Sequence, residues 1–102
     1  MKVLLLQTDI RWQSPGINRQ RAQHVIETAP QADLVVLPEM FTTGFCTDPQ
    51  GVAEPAETET LEWMRDMAFR FNAAIAGSVA VEENGSFFNR FYFVRPDGNY
   101  TL

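Results

Sequence analysis

The chain has 102 residues, 45% hydrophobic and 21% charged, which suits one domain and is too apolar for an intrinsically disordered chain. Eight basic residues against 13 acidic ones give a net charge of −5. No Lys/Arg cluster interleaves with aromatics, so a phosphate-tracking surface and a nucleic-acid partner are set aside.

The first apolar run, Val3-Leu4-Leu5-Leu6, is far short of the ~18 residues that span a bilayer, so no membrane role is expected. Gln7-Thr8-Asp9 closes that run before a secretory signal could form. The single cysteine, Cys46, rules out an intrachain disulfide, and a cytoplasmic location is the expectation.

In chain order, Val3–Leu6 suits a strand buried on both faces. Gln13-Ser14-Pro15-Gly16 breaks the chain, and Ser14 with Pro15 suits the start of a helix. Ala22, Val25, Ile26 and Ala29 fall on one face of that helix, and Pro30 stops it. Leu34-Val35-Val36-Leu37 predicts a second strand, ended by Pro38.

Residues 40–57 read as a long loop with Gly44, Pro49, Gly51 and Pro55. The pattern predicts a second helix from about Thr58 to Phe71, with Leu61, Met64, Ala68 and Phe71 as its buried stripe. Glu57, Glu59 and Glu62 crowd its start, and Arg65 and Arg70 its end, as the helix dipole favours. The acid-rich stretch 31–66 reads as a solvated loop and helix start.

Ala74–Val81 predicts a third strand, and Glu83-Asn84-Gly85 a hairpin turn. Phe87–Val94 predicts a fourth strand, Pro96-Asp97-Gly98-Asn99 a further turn, and Tyr100-Thr101-Leu102 the beginning of a fifth strand. The order β-α-β-α-β-β defines an α/β class, with a parallel sheet made mixed by the hairpin.

Glu39 is the leading candidate for chemistry. It stands directly after a buried strand, at the carboxyl end where open α/β sheets bind ligands. An apolar edge there should partly desolvate the carboxylate and favour general-base work. The bland alternative is a loop glutamate facing water. Phe41, Thr43 and Phe45 follow in Met40-Phe41-Thr42-Thr43-Gly44-Phe45 and could wall a small pocket, or pack on their own domain.

Asn89 and Arg90 interrupt an apolar strand and must point to opposite faces. A structural bond to a loop or carboxylate is the favoured reading for them. Cys46 reads as a small buried hydrophobe rather than a nucleophile, and His24, its one conceivable base, sits on an ordinary amphipathic helix. One His and one Cys cannot make a zinc site of the usual ligand count. No phosphate-binding glycine motif occurs, which argues against a flavodoxin-like ligand-binding domain.

Leu5-Leu6-Gln7-Thr8-Asp9, Ala32 to Glu39 and Phe41-Thr42-Thr43-Gly44-Phe45 together resemble the N-terminal part of the nitrilase superfamily of carbon–nitrogen hydrolases. Ala76-Gly77-Ser78 and Phe88-Asn89-Arg90, followed by Pro96-Asp97-Gly98, fit the next two family segments. Pro38 to Phe45 is most similar to the omega-amidase-like branch, which hydrolyses the terminal amide of 2-oxo acid amides.

The resemblance implies an α-β-β-α sandwich of which residues 1–102 form a single, incomplete domain. It also implies dimers, no metal or organic cofactor, and a small carboxylated amide as substrate. It implies a Glu-Lys-Cys triad with Glu39 as general base. The only lysine is Lys2 and the only cysteine Cys46, and neither matches the family positions. With half of the sandwich missing, the sheet face meant for the second sheet is expected to be bare and the strand at Tyr100 to leave an open edge, so the chain by itself is expected to be poorly soluble or self-associated, and inactive. The alternative is a non-catalytic nitrilase-like module that pairs with itself or with another chain.

Overall fold

A computed structural model describes residues 1–7, 10–11, 14–44, 53–55 and 59–102. Among them, strands β1 (Val3–Leu5), β2 (Leu34–Val36), β3 (Glu54–Pro55), β4 (Ala74–Glu83), β5 (Ser86–Val94) and β6 (Tyr100–Thr101) join helices α1 (Pro15–Thr28) and α2 (Glu59–Phe71). The sheet order is β1-β2-β4-β5-β6, with β3 pairing the far end of β4. β1, β2 and β4 are parallel, while β4, β5 and β6 are antiparallel, so the sheet is mixed as the sequence order requires.

The parallel half follows from its connections. Each of the two crossovers carries a helix, and those helices lay their apolar stripes on one face of the sheet. Ala22 and Ile26 of α1, with Leu61, Met64, Met67 and Ala68 of α2, pack on Leu6, Val35, Leu37, Ile75, Val79, Val81, Tyr92 and Val94. Met64 and Ile75 are wholly inaccessible, each contributing about 1.5–3 kcal/mol of burial. Arg19 ties the starts of the helices together, with its guanidinium 2.6 Å from Glu59 and 3.0 Å from Thr60 Oγ1.

Both helices sit close to where the sequence places them. α1 begins at Pro15 and ends at Thr28, before Pro30, although Ser14 makes no side-chain capping bond. α2 buries the expected Leu61, Met64 and Ala68, and also Met67 and Thr60. The short β3 falls within the stretch read as loop, while residues 45–52 and 56–58 of that stretch lie outside the described residues.

One expectation is corrected. β1 is not buried on both faces, because Val3 and Leu5 point away from the helices and are exposed. Alternation along the strands carries that open face across the sheet to Phe91 and Phe87, which are exposed too. A continuous apolar run calls for cover on both sides, and among the described residues the helices supply only one layer.

The β4–β5 hairpin closes at Asn84 and Gly85, with φ of 53° and 79°. Two consecutive positive φ values are the signature of the tight turn that matches strand twist, and an Asn-Gly pair adopts them readily. That turn sets the register, with Ala80 opposite Asn89 and Ser78 opposite Phe91.

Gly77 lies where β4 passes Leu37, just beyond the end of β2. A Cβ added there would sit 3.0 Å from Leu37 Cβ. Gly77→Val should therefore overpack the junction and cost about 1–3 kcal/mol, read as a lower midpoint in chemical denaturation. An unchanged midpoint would show that the junction has slack.

Candidate active site

Parallel pairing places the carboxyl ends of β1 and β2 together, and Glu39 lies two residues beyond Leu37 at that end. Leu37 N–H still donates to Ala76 O at 2.8 Å, so the chain is held to the sheet until just before Glu39. Met40 then takes a positive φ of 47° and reverses the chain. Gly44 N–H donates back to Met40 O at 2.8 Å, closing a turn over residues 40–44.

Glu39 opens onto a recess of about 220 Å³ lined by Leu37, Gly77, Ser78, Asn89 and Phe91. Its polar lining is one carboxylate, one hydroxyl and one carboxamide. Among the described residues the Glu39 carboxylate has no hydrogen-bond or ion-pair partner, and Glu39 is exposed. The desolvated position expected for it is thus corrected, because the open face of the sheet lets water reach it.

The two polar residues of β5 separate as strand geometry demands. Asn89 faces the recess. Arg90 turns to the opposite face, where its guanidinium pairs with Glu83 and lies 5.1 Å from the Phe88 ring centroid. The hydrogen bond to Glu83 raises the Arg90 pKa further above its ordinary value. Arg90 therefore has the structural bond to a carboxylate that the sequence reading favoured, while Asn89 shares the recess with Glu39.

The pocket wall expected from the loop is corrected in part. Phe41 is buried and turns inward, its ring 5.6 Å from that of Trp63 on α2. Thr43 is buried, and its hydroxyl donates to Gly44 O at 2.8 Å. Neither lines the recess, because the chain reverses at Met40 and both side chains are buried beyond it. Phe45 and Cys46 lie outside the described residues. The aromatic that does line the recess is Phe91, from the hairpin.

Two residues that hold the turn after Glu39 were given no role from sequence, although Ser78 belongs to the family-like segment Ala76-Gly77-Ser78. Ser78 accepts Met40 N–H at 2.8 Å through its hydroxyl. Asn18, buried in the first turn of α1, donates to Thr42 O at 2.7 Å and to Arg11 O at 2.7 Å, and accepts Arg11 N–H at 2.8 Å. The available signal for Asn18 was its place four residues before Ala22, on the buried stripe.

Lys2 precedes β1 and is exposed, at the end of the parallel strands opposite Glu39. His24 is exposed on α1. Among the described residues no group of three His, Cys, Asp or Glu side chains could hold a metal ion, and no helix is long and apolar enough to cross a membrane. A second recess of about 200 Å³ lies at the amino ends of the strands, between the ends of α1 and α2. Its one carboxylate, Glu27, faces Arg70 at 3.6 Å, so it reads as a packing gap.

A mixed sheet with helices on one face and a glutamate at a parallel strand's carboxyl end defines an α/β domain of the kind that binds ligands at its strand ends. The chain belongs to the carbon–nitrogen hydrolase family, whose sequence profile matches residues 2–102. It is 41% identical over 98 residues to omega-amidase YafV of Yersinia enterocolitica, covering 96% of this chain and 38% of that protein. It is 33% identical over 96 residues to 2-oxoglutaramate amidase of Bacillus subtilis, covering 91% of this chain and 37% of the relative. A solved CN-hydrolase superfamily protein, XC1258 of Xanthomonas campestris, superposes with a TM-score of 0.92 at 38% identity, over 99% of this chain and 38% of that one. The chain thus spans a little over a third of the length of these relatives.

Proposed function

We propose that Glu39 is the general base of an omega-amidase-like site that hydrolyses a small carboxylated amide and releases ammonia. The observation that carries this reading is the placement of Glu39 at the carboxyl end of β2, over a recess it shares with Asn89 and Ser78. The likeness to omega-amidases and to a 2-oxoglutaramate amidase supports the substrate class.

In such a site the glutamate takes the proton from a cysteine thiol as the sulfur attacks the amide carbon. The proton then passes to the departing ammonia. A water deprotonated by the same glutamate cleaves the resulting thioester. A lysine ammonium stabilises the oxyanion in both steps. Lys2 stands at the wrong end of the sheet for that role, so the lysine and the nucleophile are supplied from outside the described residues. No cofactor enters the chemistry, a homo-oligomer is the expected assembly, and the cytoplasm is the expected compartment.

The absence of a lysine beside Glu39 among the described residues favours one second reading. In it, the chain is a non-catalytic module that pairs through its open sheet face with another copy or another chain.

The test begins with the protein as its native cell makes it. Its intact mass and its ammonia release from a series of 2-oxo acid terminal amides are measured together. Turnover of a small carboxylated amide is expected. A protein of 11.6 kDa that turns over none of them would support the second reading instead.

A further inference from the structure

We propose that Asn18 and Ser78 are positioning residues that aim Glu39 by clamping the turn that follows it. This rests on the reading of Glu39 as general base. Among the described residues no partner at the tip of the Glu39 carboxylate fixes its direction. Its direction is set by the backbone on either side. On one side Leu37 is bonded to β4. On the other, the chain makes an immediate reversal through Met40, whose positive φ of 47° is a conformation that non-glycine residues hold only when their surroundings impose it.

Two side chains impose it. Ser78, on β4, accepts the Met40 N–H at 2.8 Å and itself lines the recess. Asn18 reaches from α1 to Thr42 O, two residues further along the turn, at 2.7 Å. Its remaining bonds join both backbone groups of Arg11, in the connection that leaves β1. One buried carboxamide therefore ties the loops after β1 and β2 to each other at the end of the sheet where Glu39 stands.

α1 has no need of an amide at this place. The Asn18 backbone N–H is already bonded to Ser14 O at 3.0 Å, and an apolar side chain would continue the stripe of Ala22 and Ile26. A polar residue held at 4% exposure with three good bonds is a costly choice for packing and an apt one for fixing a loop. Displacement of a catalytic group by about 1 Å can cost on the order of 100-fold in rate, so a loosened turn should be read in turnover before it is read in folding.

The experiment uses the native polypeptide with Ser78→Ala, Ser78→Thr and Asn18→Asp, beside Glu39→Gln. Asn18→Asp keeps the size and the acceptor but loses the donations to Thr42 O and Arg11 O. Ser78→Ala and Asn18→Asp are expected to lower kcat by about 10- to 100-fold with KM within about twofold, and Ser78→Thr to restore most of it. Amide hydrogen exchange at Met40 and Gly44 should quicken while β4 and β5 keep their protection.

Wild-type kcat in Ser78→Ala and Asn18→Asp, with Glu39→Gln inactive, would refute the clamp alone. Quickened exchange throughout the sheet would assign both residues to general stability and overturn it as well. Retained activity in Glu39→Gln, or an inert wild type, would instead remove the general-base reading beneath it. Ser78→Ala keeps the question open to refutation if Asn18→Asp does not fold.

Discussion

Glu39→Gln is expected to lower amide hydrolysis by the native polypeptide by about 100- to 10,000-fold while leaving its melting temperature unchanged. The two halves of that expectation have separate causes. Gln keeps the length and shape of the side chain but cannot accept a proton, so every step that needs a base at the end of β2 is lost. Stability should not follow, because Glu39 is exposed and its carboxylate has no partner among the described residues to be orphaned. Steady-state ammonia release and a thermal melt, run on the same preparation, check both. Activity within a few-fold of wild type would assign Glu39 to the surface. A large drop in melting temperature would give it a structural partner instead.

The second large effect concerns the 102-residue chain by itself. The side of the sheet away from the helices presents Leu5 at 72% exposure, Phe91 at 52%, Val3 at 49% and Phe87 at 40%. Contiguous apolar surface of this kind is rare on soluble monomers and drives association. β6 is the last strand on its side of the sheet among the described residues, and an edge strand is a template for pairing with another chain. Sedimentation should therefore show species well above 11.6 kDa. Leu5→Asp with Phe91→Ser should shift them toward monomer, since each places a polar group on the bare face. The same preparation should release no ammonia from any amide. A monodisperse monomer at high concentration would mean that the face is covered by residues outside those described.

Much of the fold was legible because its signals are local. Four apolar residues before Pro38 mark β2, Asn84-Gly85 marks the hairpin, and acids before bases mark α2. The bare face of the sheet was legible only through the family resemblance, which implies a second sheet to cover it; the apolar run of β1 alone looks the same whether or not that cover is present. β3 was hidden in a stretch of glycines and prolines, since two residues carry no period.

Glu39 was singled out from its position after a strand, and the structure places it beside a recess. Phe41 was misplaced because nothing local announces that Met40 adopts a left-handed conformation and turns the ring toward Trp63. Asn18 was overlooked for a related reason. A polar residue on an amphipathic helix reads as solvated until the loops it bonds are known. The division of Asn89 from Arg90 was foreseeable as a division. Which of the two met the glutamate depended on register.

That register has an electrostatic consequence. The hairpin is closed by two residues of left-handed backbone, and their count decides the parity of everything downstream on β5. With Asn84 and Gly85 in place, a neutral carboxamide shares the recess with Glu39, and the guanidinium is turned away to Glu83. A shift of one residue would exchange them. The carboxylate would then face a permanent cation, which would hold it ionised and weaken it as a base. The length of a surface turn thus decides which polar side chain shares the recess with Glu39 four residues further along the strand, without either turn residue lining it.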